Sequence, residues 1–531
     1  MSAIQIYDTT LRDGTQGEGV AFSVEDKIKI TRRLDRMGFH YVEGGWPGSN
    51  PKDLEYFRQI RDERFRQAKI AAFGSTRKAG RPADQDTNLL AILDSGVHTA
   101  TIFGKSWDFH VYRALGTTLE ENLAMVADSV AFLKGRRLEV LFDAEHFFDG
   151  YRANPQYAMA VLRAAQDAGA DMVVLCDTNG GTLPTELKEI VAYVRGALDV
   201  PLGIHAHNDG GLAAANSILA LEAGCVQVQG TINGYGERCG NVDLCTVIPN
   251  LVFKKRFACI PEENLVYLTD LSRYVSELAN KSPESRQPFV GTSAFAHKGG
   301  IHVNALLKDR QTYEHIPPES VGNKRRVLVS ELSGLSNLVY KYRELNLGLE
   351  RDSAEYRRLL SELKDLEHQG FQFEGAEGSF ELLMRKAYNG YHKPFWLETM
   401  RILTELRDEG HVYSEAIIKL RVNDQVVHTA AEGNGPVNAL DAALRKALEQ
   451  FYPGIKNMRL HDFKVRVLDE KEGTQAVVRV LIETGDGRKS WGTVGVSPNI
   501  IEASWQALAD SFAYGILKLK ENSTTDAQAA P

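Results

Sequence analysis

Two hydrophobic periods alternate along the first 255 residues of the chain. Short runs rich in β-branched residues predict strands. Each run is followed by a stretch whose apolar residues recur every three or four positions, as in an amphipathic helix. After Ser23, for example, Val24, Ile28 and Leu34 share one helical face, and Ser23 with Asp26 is typical of a capping box. The strands are predicted over residues 4–10, 40–45, 69–75, 99–105, 138–146, 172–178, 201–208 and 225–234.

This alternation of strand and helix predicts an α/β fold with a parallel sheet. Eight such units within about 250 residues match a closed (β/α)8 TIM barrel. An open, doubly wound sheet is the alternative, and it would carry a glycine-rich phosphate turn after its first strand. No G-x-G-x-x-G follows the first strand here, so we expect the barrel.

The rest of the chain follows a different pattern. Residues 286–410 are charged and mostly helical in period, as in "YRRLLSELKDLEHQG", and predict helical linker subdomains. From residue 411 strands return in two copies of a β-β-(β)-α unit, with Pro436 and Pro498 near the helix starts. We therefore expect a barrel at 1–285, the linker at 286–410, an α+β domain at 411–520 and a disordered tail at 521–531.

Composition and charge narrow the function classes. Of 531 residues, 43% are hydrophobic and 25% are charged, which is ordinary globular usage. The net charge of −8 argues against a nucleic-acid partner, because neutralising phosphates needs a basic face. The five cysteines show neither zinc spacing nor a disulfide framework. No signal-peptide pattern and no long apolar run is found, so a cytoplasmic protein without a membrane partner is expected.

Polar and ionisable residues stand at the ends of the predicted strands. In a TIM barrel these carboxyl ends converge on one mouth, which is where the chemistry of the fold takes place. The stability of a barrel alone does not require a polar or ionisable residue at every strand end. They are Arg12, Asp13, Glu43, Ser75, Lys105, Glu145, Thr178, His205, His207 and Asn233.

Three of these residues predict a metal site. His205 and His207 are two positions apart on one strand, so their imidazoles point to the same side. Asp13 would add a carboxylate, and Asn241, in a glycine-rich loop, could add an amide oxygen. Such ligands suit a divalent ion that must also hold substrate oxygens, and leave Mg²⁺, Mn²⁺ and Zn²⁺ open.

The neighbouring charged residues fit polar chemistry beside that metal. Arg12 would polarise an oxygen that becomes negative during the reaction, and Glu43 could orient Arg12 or form a merely structural ion pair with it. Glu145 is the candidate general base, although a solvated loop carboxylate would look the same in the sequence. Asp143 shares the strand face of Glu145 and could serve instead.

The motifs around these residues resemble a known family. "DTTLRDGTQ" (8–16), "HAHND" (205–209), "NGYGERCGN" (233–241) and "GTSAFAHKGGIHVNAL" (291–306) are similar to signatures of the Claisen-condensing aldolase-type synthases. That family includes the 2-isopropylmalate, homocitrate and citramalate synthases. The resemblance extends over roughly residues 4–520.

The resemblance implies a role for each matching residue. The implied metal ligands are Asp13, His205, His207 and Asn241; the implied catalytic and substrate-binding residues are Arg12, Glu145, Thr178, His302 and Tyr313. Glu43 and Asp143 join the expected substrate-binding residues because of their own positions at the strand ends. Arg12 would polarise the ketone, Thr178 would contact the keto-acid carboxylate, and Glu145 would deprotonate acetyl-CoA. In the family the linker histidine and tyrosine come from the partner subunit, which implies a homodimer. The C-terminal domain would then bind an amino-acid effector.

Two further motifs resemble those of the citramalate synthase branch of this family. "DAEHFFDGY" and "LCDTNGGTLP" depart from the isopropylmalate wording at the fifth and sixth strands. Phe103 and Phe142, if both face the mouth, would suit a methyl-sized substituent, so pyruvate is the expected keto acid. The resemblance to the citramalate branch implies isoleucine as the effector, because citramalate feeds isoleucine synthesis. Three alternatives remain: a 2-isopropylmalate synthase using 2-oxoisovalerate, a hydroxymethylglutaryl-CoA lyase, and a non-catalytic effector-binding protein.

Overall fold

The computed structural model describes residues 4–328, 335–345, 354–387, 391–406, 412–468, 475–487 and 489–528. Two compact units divide the chain. The first comprises residues 1–295 with 315–325, and the second comprises residues 296–314 with 326–531.

The first unit is a closed barrel of eight parallel strands, each hydrogen-bonded to the next in chain order, with β8 paired to β1. The strands are β1 Gln5–Asp8, β2 Tyr41–Gly45, β3 Lys69–Ser75, β4 Thr99–Lys105, β5 Glu139–Glu145, β6 Met172–Asp177, β7 Leu202–Ala206 and β8 Gln227–Gly230. All eight predicted strands are present, which confirms the predicted TIM barrel and rules out the open sheet.

Helices surround the barrel. They are α1 Val24–Met37, α2 Pro51–Ile60, α3 Thr87–Asp94, α4 Asp108–His110, α5 Leu119–Gly135, α6 Phe147–Ala153, α7 Pro155–Asp167, α8 Pro184–Ala197, α9 Ala213–Glu222, α10 Leu244–Pro249 and α11 Leu268–Leu278. The predicted capping box is present: the Ser23 side chain accepts from the Asp26 N–H, and the Asp26 side chain accepts from the Ser23 N–H. Gly38, with φ of 94°, ends α1 in the left-handed conformation that glycine adopts without strain.

Side chains of the barrel strands alternate between two environments. Outward residues, such as Ile102 and Phe142, pack against the helices in the main hydrophobic core. Inward residues near the bottom and middle of the barrel are mostly apolar, among them Tyr7, Leu141 and Met172. Inward residues closer to the carboxyl ends include polar and charged side chains, such as Glu43, Asp143 and His205. This strand phase decides which residues can reach the mouth.

The second unit contains helices followed by two antiparallel sheets. Its helices are α12 Gly300–Lys308, α13 Leu335–Glu344, α14 Ala354–His368, α15 Glu377–Ala387, α16 Pro436–Leu448 and α17 Ile500–Gln528; the short strands β9 Ala296–His297 and β10 Arg326–Val327 pair in parallel. One sheet consists of β11 Trp396–Leu406, β12 Val412–Val422 and β13 Gln425–Gly433, and the other of β14 Arg459–Val467, β15 Val478–Gly485 and β16 Ser490–Ser497. Each sheet is followed by one helix, so the predicted duplication is present as β-β-β-α.

Two expectations for this region differ from the structure. The segment 396–406, predicted as part of the helical linker, is strand β11, paired along its length with β12. It is an edge strand whose apolar and charged residues alternate only loosely, which hides the strand period. Helix α17 continues to Gln528, into the predicted disordered tail, and Glu521 forms ion pairs there with Arg385 and Lys518. Residues 529–531 lie outside the described residues.

Candidate metal centre and active site

Asp13, His205 and His207 come together at the mouth of the barrel. The two histidines lie on and just after β7, and Asp13 lies in the turn after β1, which is separated from β7 by β8. His205 Nε2 is 3.3 Å from Asp13 Oδ2 and 3.3 Å from His207 Nε2. All three side chains are buried, and their ligand atoms lie within 4.8 Å of one another. This is the grouping that the spacing predicts.

Asn241 lies beside this cluster. Its backbone bridges to that of His207, and the glycine-rich loop folds back so that the Asn208 N–H donates to Gly240 O at 2.9 Å. The Asn241 Oδ1 atom is buried and has no hydrogen-bond partner among the described residues. Two facing imidazole nitrogens and a carboxylate oxygen are lone-pair donors of the kind that a divalent cation binds. The Asn241 amide oxygen is a further unpartnered lone-pair donor, on the residue whose backbone bridges to His207.

The charges at the cluster suit a bound cation. Burial alone would raise the pKa of Asp13, but Arg12 and His205 outweigh burial and hold it well below its ordinary value. Burial lowers the pKa of His207 to about 4, so its imidazole is neutral and can act as a ligand at neutral pH. Burial also acts to lower the pKa of His205, but its hydrogen bond to Asp13 gives a net rise.

Arg12 is held rigidly beside the cluster. Its Nε donates to Glu43 Oε1 at 2.5 Å, and its guanidinium lies 3.6 Å from the centre of the Phe73 ring. The other Glu43 oxygen accepts from the Tyr7 hydroxyl at 2.8 Å, and Tyr7 also contacts Thr101 at 2.7 Å. Burial acts to lower the pKa of Arg12, but Glu43 and Asp13 reverse this and raise it, so the guanidinium stays charged. One terminal nitrogen, Nη1, lies 3.6 Å from Asp13 Oδ2, so the guanidinium borders the metal cluster.

Glu145 and Thr178 stand on the opposite side of the mouth. Glu145 ends β5 and forms an ion pair with Lys105 at the end of β4. The Thr178 hydroxyl oxygen accepts from the backbone N–H of His146 at 2.9 Å, which leaves its proton free to donate. His146 has a positive φ of 57° where β5 turns into α6.

The strand phase separates the other predicted residues. Phe103 is inward, stacked on Phe73 with ring centres 5.4 Å apart, and Trp46 packs edge-on against both rings. Phe142 is outward and fully buried in the main core, so its expected place near the mouth was wrong. Asn233 also turns away, toward α11, where it hydrogen-bonds Ser272 and Ser276.

Asp143 lies one layer below Glu145, inside the barrel. It is 4% exposed and accepts a hydrogen bond from Gln229 at 3.2 Å. Burial raises the pKa of Asp143 to about 7. Gln229 and Trp46 are site residues that sequence reasoning missed. The alternation of glutamine with valine in "CVQVQG" indicates that the glutamines share one face of the strand, and this pattern could have identified Gln229.

His302 and Tyr313 belong to the second unit. His302 lies on α12 and Tyr313 follows it, and their rings stack with centres 4.1 Å apart. Both side chains are exposed. The structure therefore brings these two residues together as a pair.

Comparison with known proteins follows the same division of the chain. A family model described as HMGL-like matches residues 3–275, just over half of the chain. A homocitrate synthase post-HMGL domain-like model matches residues 289–370, and a LeuA allosteric (dimerisation) domain model matches residues 374–516. An (R)-citramalate synthase of Geobacter sulfurreducens is 56% identical over 522 residues, covering 98% of this chain and 99% of that protein. The chain belongs to the HMGL-like family, in the branch of the (R)-citramalate synthases.

Other relatives support the assignment to the citramalate synthase branch. A second (R)-citramalate synthase, from Aquifex aeolicus, is 52% identical over 98% of both chains. A 2-isopropylmalate synthase of Methanocaldococcus jannaschii is only 29% identical, over 96% of this chain and 93% of its own length.

No helix among the described residues is long and apolar enough to cross a membrane.

Proposed function

We propose that this member of the family is an (R)-citramalate synthase, an acyltransferase that condenses acetyl-CoA with pyruvate and hydrolyses the thioester to give citramalate and CoA. The observation that carries this is the sequence identity of 56% and 52% to two citramalate synthases over nearly the whole chain, in which Asp13, His205 and His207 come together at the barrel mouth. A metal bound by Asp13, His205, His207 and Asn241 would act as a Lewis acid toward the keto-acid oxygens.

The chain's own residues supply the remaining steps. Arg12, fixed by Glu43 and Phe73, directs its guanidinium at the ketone oxygen that becomes an alkoxide. The Thr178 hydroxyl donates to the keto-acid carboxylate. Glu145 removes a proton from the acetyl methyl group, and its ion pair with Lys105 fixes its position. The resulting enolate attacks the ketone carbon to form the new carbon–carbon bond, and the alkoxide that forms takes up a proton. Water then attacks the thioester carbonyl, and CoA leaves as the free thiol.

The walls of the mouth favour a small keto acid. Trp46, Phe73 and Phe103 form an aromatic wall directly against the Arg12 guanidinium. A methyl substituent, as in pyruvate, fits beside such a wall more easily than the branched substituent of 2-oxoisovalerate. Among the two keto acids that the family comparison leaves in view, this favours pyruvate.

The second unit would complete and regulate the site. His302 and Tyr313 would come from the partner of a homodimer and stabilise the enolate, as in the family. The LeuA allosteric (dimerisation) domain supports both oligomerisation and an amino-acid effector. Citramalate leads to isoleucine, so we propose isoleucine as the feedback inhibitor and Mn²⁺, Mg²⁺ or Zn²⁺ as the metal.

A keto-acid panel tests this function. Release of free CoA from acetyl-CoA is measured with pyruvate, 2-oxobutyrate and 2-oxoisovalerate, each before and after removal of divalent metal by a chelator. We expect the highest kcat/KM with pyruvate, and activity that is lost with the metal and restored by adding it back. A preference for 2-oxoisovalerate would indicate a 2-isopropylmalate synthase instead.

A further inference from the structure

A buried chain of hydrogen bonds runs from the metal cluster into the barrel. His205 Nδ1 lies 3.0 Å from Gln229 Oε1, and Gln229 Nε2 donates to Asp143 Oδ1 at 3.2 Å. His205 and Gln229 are register partners on β7 and β8, so their inward side chains lie side by side. All three residues are buried, with Gln229 0% exposed, so their hydrogen bonds are shielded from bulk water.

The donor and the acceptor of each hydrogen bond in this series follow from the chemical groups that face one another. The Asp143 carboxylate accepts from the Gln229 amide nitrogen, which turns the amide oxygen toward His205. An amide oxygen can only accept, so the proton of the His205 imidazole is on Nδ1. In the neutral imidazole that a metal ligand requires, the lone pair is then on Nε2, the atom that faces Asp13 and His207.

We infer that Gln229 and Asp143 are positioning residues that hold His205 in the tautomer and ring orientation that a metal ligand requires. The inference rests on the metal site proposed above and adds the two residues behind it. Loss of a residue that hydrogen-bonds a metal ligand, as Gln229 does, typically weakens metal binding 10–100-fold. Asp143 then acts through Gln229 and His205 from inside the barrel, without touching the substrate.

The barrel offers a matched control. Gln227 lies two residues before Gln229 on β8, on the same inward face, and is also 0% exposed. Its amide donates to Gln5 at 3.1 Å instead of contacting the cluster. Gln227→Met and Gln229→Met therefore remove the same buried amide from the same strand, and only the second breaks the chain to His205.

The test measures Mn²⁺ binding to the metal-free, full-length protein by isothermal titration calorimetry, with thermal unfolding of each metal-free variant alongside. Asp13→Ala shows whether the titrated ion occupies the proposed site. We expect Gln229→Met to weaken Mn²⁺ binding 10–100-fold and Gln227→Met to stay within about threefold of the wild type. A double variant, Asp143→Asn with Gln229→Glu, reverses the donor and acceptor between the two positions and keeps an acceptor for His205.

The double variant should retain Mn²⁺ binding within about threefold, which a merely structural role would not predict. If Gln229→Met fails to fold, the double variant decides alone: retained binding supports the inference and lost binding overturns it. Mn²⁺ binding by Gln229→Met at wild-type strength, or equal losses in both methionine variants, overturns the inference while leaving the metal site intact. If Asp13→Ala binds Mn²⁺ as the wild type does, the metal site itself fails, and the inference with it.

Discussion

At the scale of single residues, the proposed role of Glu145 as the base that abstracts the proton gives the first prediction. Glu145→Gln keeps the shape of the side chain and a hydrogen-bonding partner for Lys105, but it removes the base. We expect turnover to fall by about 10²-fold or more while the KM for pyruvate changes little, because the usual contribution of a general base is of this size. Exchange of the acetyl methyl protons with deuterated water isolates the step. Unchanged exchange in the variant would move the role to another group.

The aromatic wall at the mouth makes a second prediction at this scale. Phe103→Ala removes the inward ring that stacks on Phe73 and should admit larger keto acids. We expect kcat/KM for 2-oxoisovalerate relative to pyruvate to rise about tenfold, the range set by one or two methylene groups in a pocket. Phe142→Leu is the control, since that ring lies one residue from the equivalent layer on β5 but faces the outer core. A shift of equal size in the control would show that the wall does not select the substrate.

At the scale of elements, the loop after β8 positions Asn241. Gly236 has φ of 153°, and a Cβ at this position would collide with the Asn241 side chain. Gly236→Ala should therefore displace the amide oxygen and weaken metal binding, with a smaller loss of turnover at saturating metal. Gly181, in the loop after β6, has no positive φ, and a methyl group there would meet open space, so Gly181→Ala is the control. Equal metal affinity in the two variants would remove Asn241 from the ligand set.

At the scale of elements, some features of the structure were predictable from the sequence and others were not. The barrel strands were predictable because each one is a short apolar run between helical stretches, and the two histidines because residues two apart on a strand share a side. The partnership of His205 with Gln229 was not, since it depends on the register between β7 and β8. The direction of Phe142 depends on strand phase, which a continuous apolar run does not reveal. Strand β11 was missed because an edge strand need not bury either face consistently.

At the scale of the whole molecule, the C-terminal domain should make the enzyme sensitive to isoleucine. Free backbone N–H groups at the start of a helix in this domain are the expected binding site for the effector's carboxylate. At the start of α17, Asn499 already accepts hydrogen bonds from the backbone N–H groups of Ile501 and Glu502, so the protein's own cap occupies that site. The corner at Pro436 has no side-chain cap, and carries this expectation better. With the full-length enzyme, isoleucine should inhibit citramalate formation at concentrations where leucine has little effect. Strong inhibition by leucine alone would contradict the assignment to the citramalate branch.

The central claim, that this enzyme makes citramalate from pyruvate and acetyl-CoA at a metal-bearing barrel mouth, is tested most directly by competition. Pyruvate and 2-oxoisovalerate are supplied together at equal concentration with acetyl-CoA, and the products are separated by chiral chromatography and identified by mass. We expect (R)-citramalate in at least about tenfold excess over 2-isopropylmalate, the order of selectivity that a pocket gains from excluding methylene groups. Both products should disappear on chelation. Predominant 2-isopropylmalate, or citramalate formation that survives complete removal of metal, would contradict this claim.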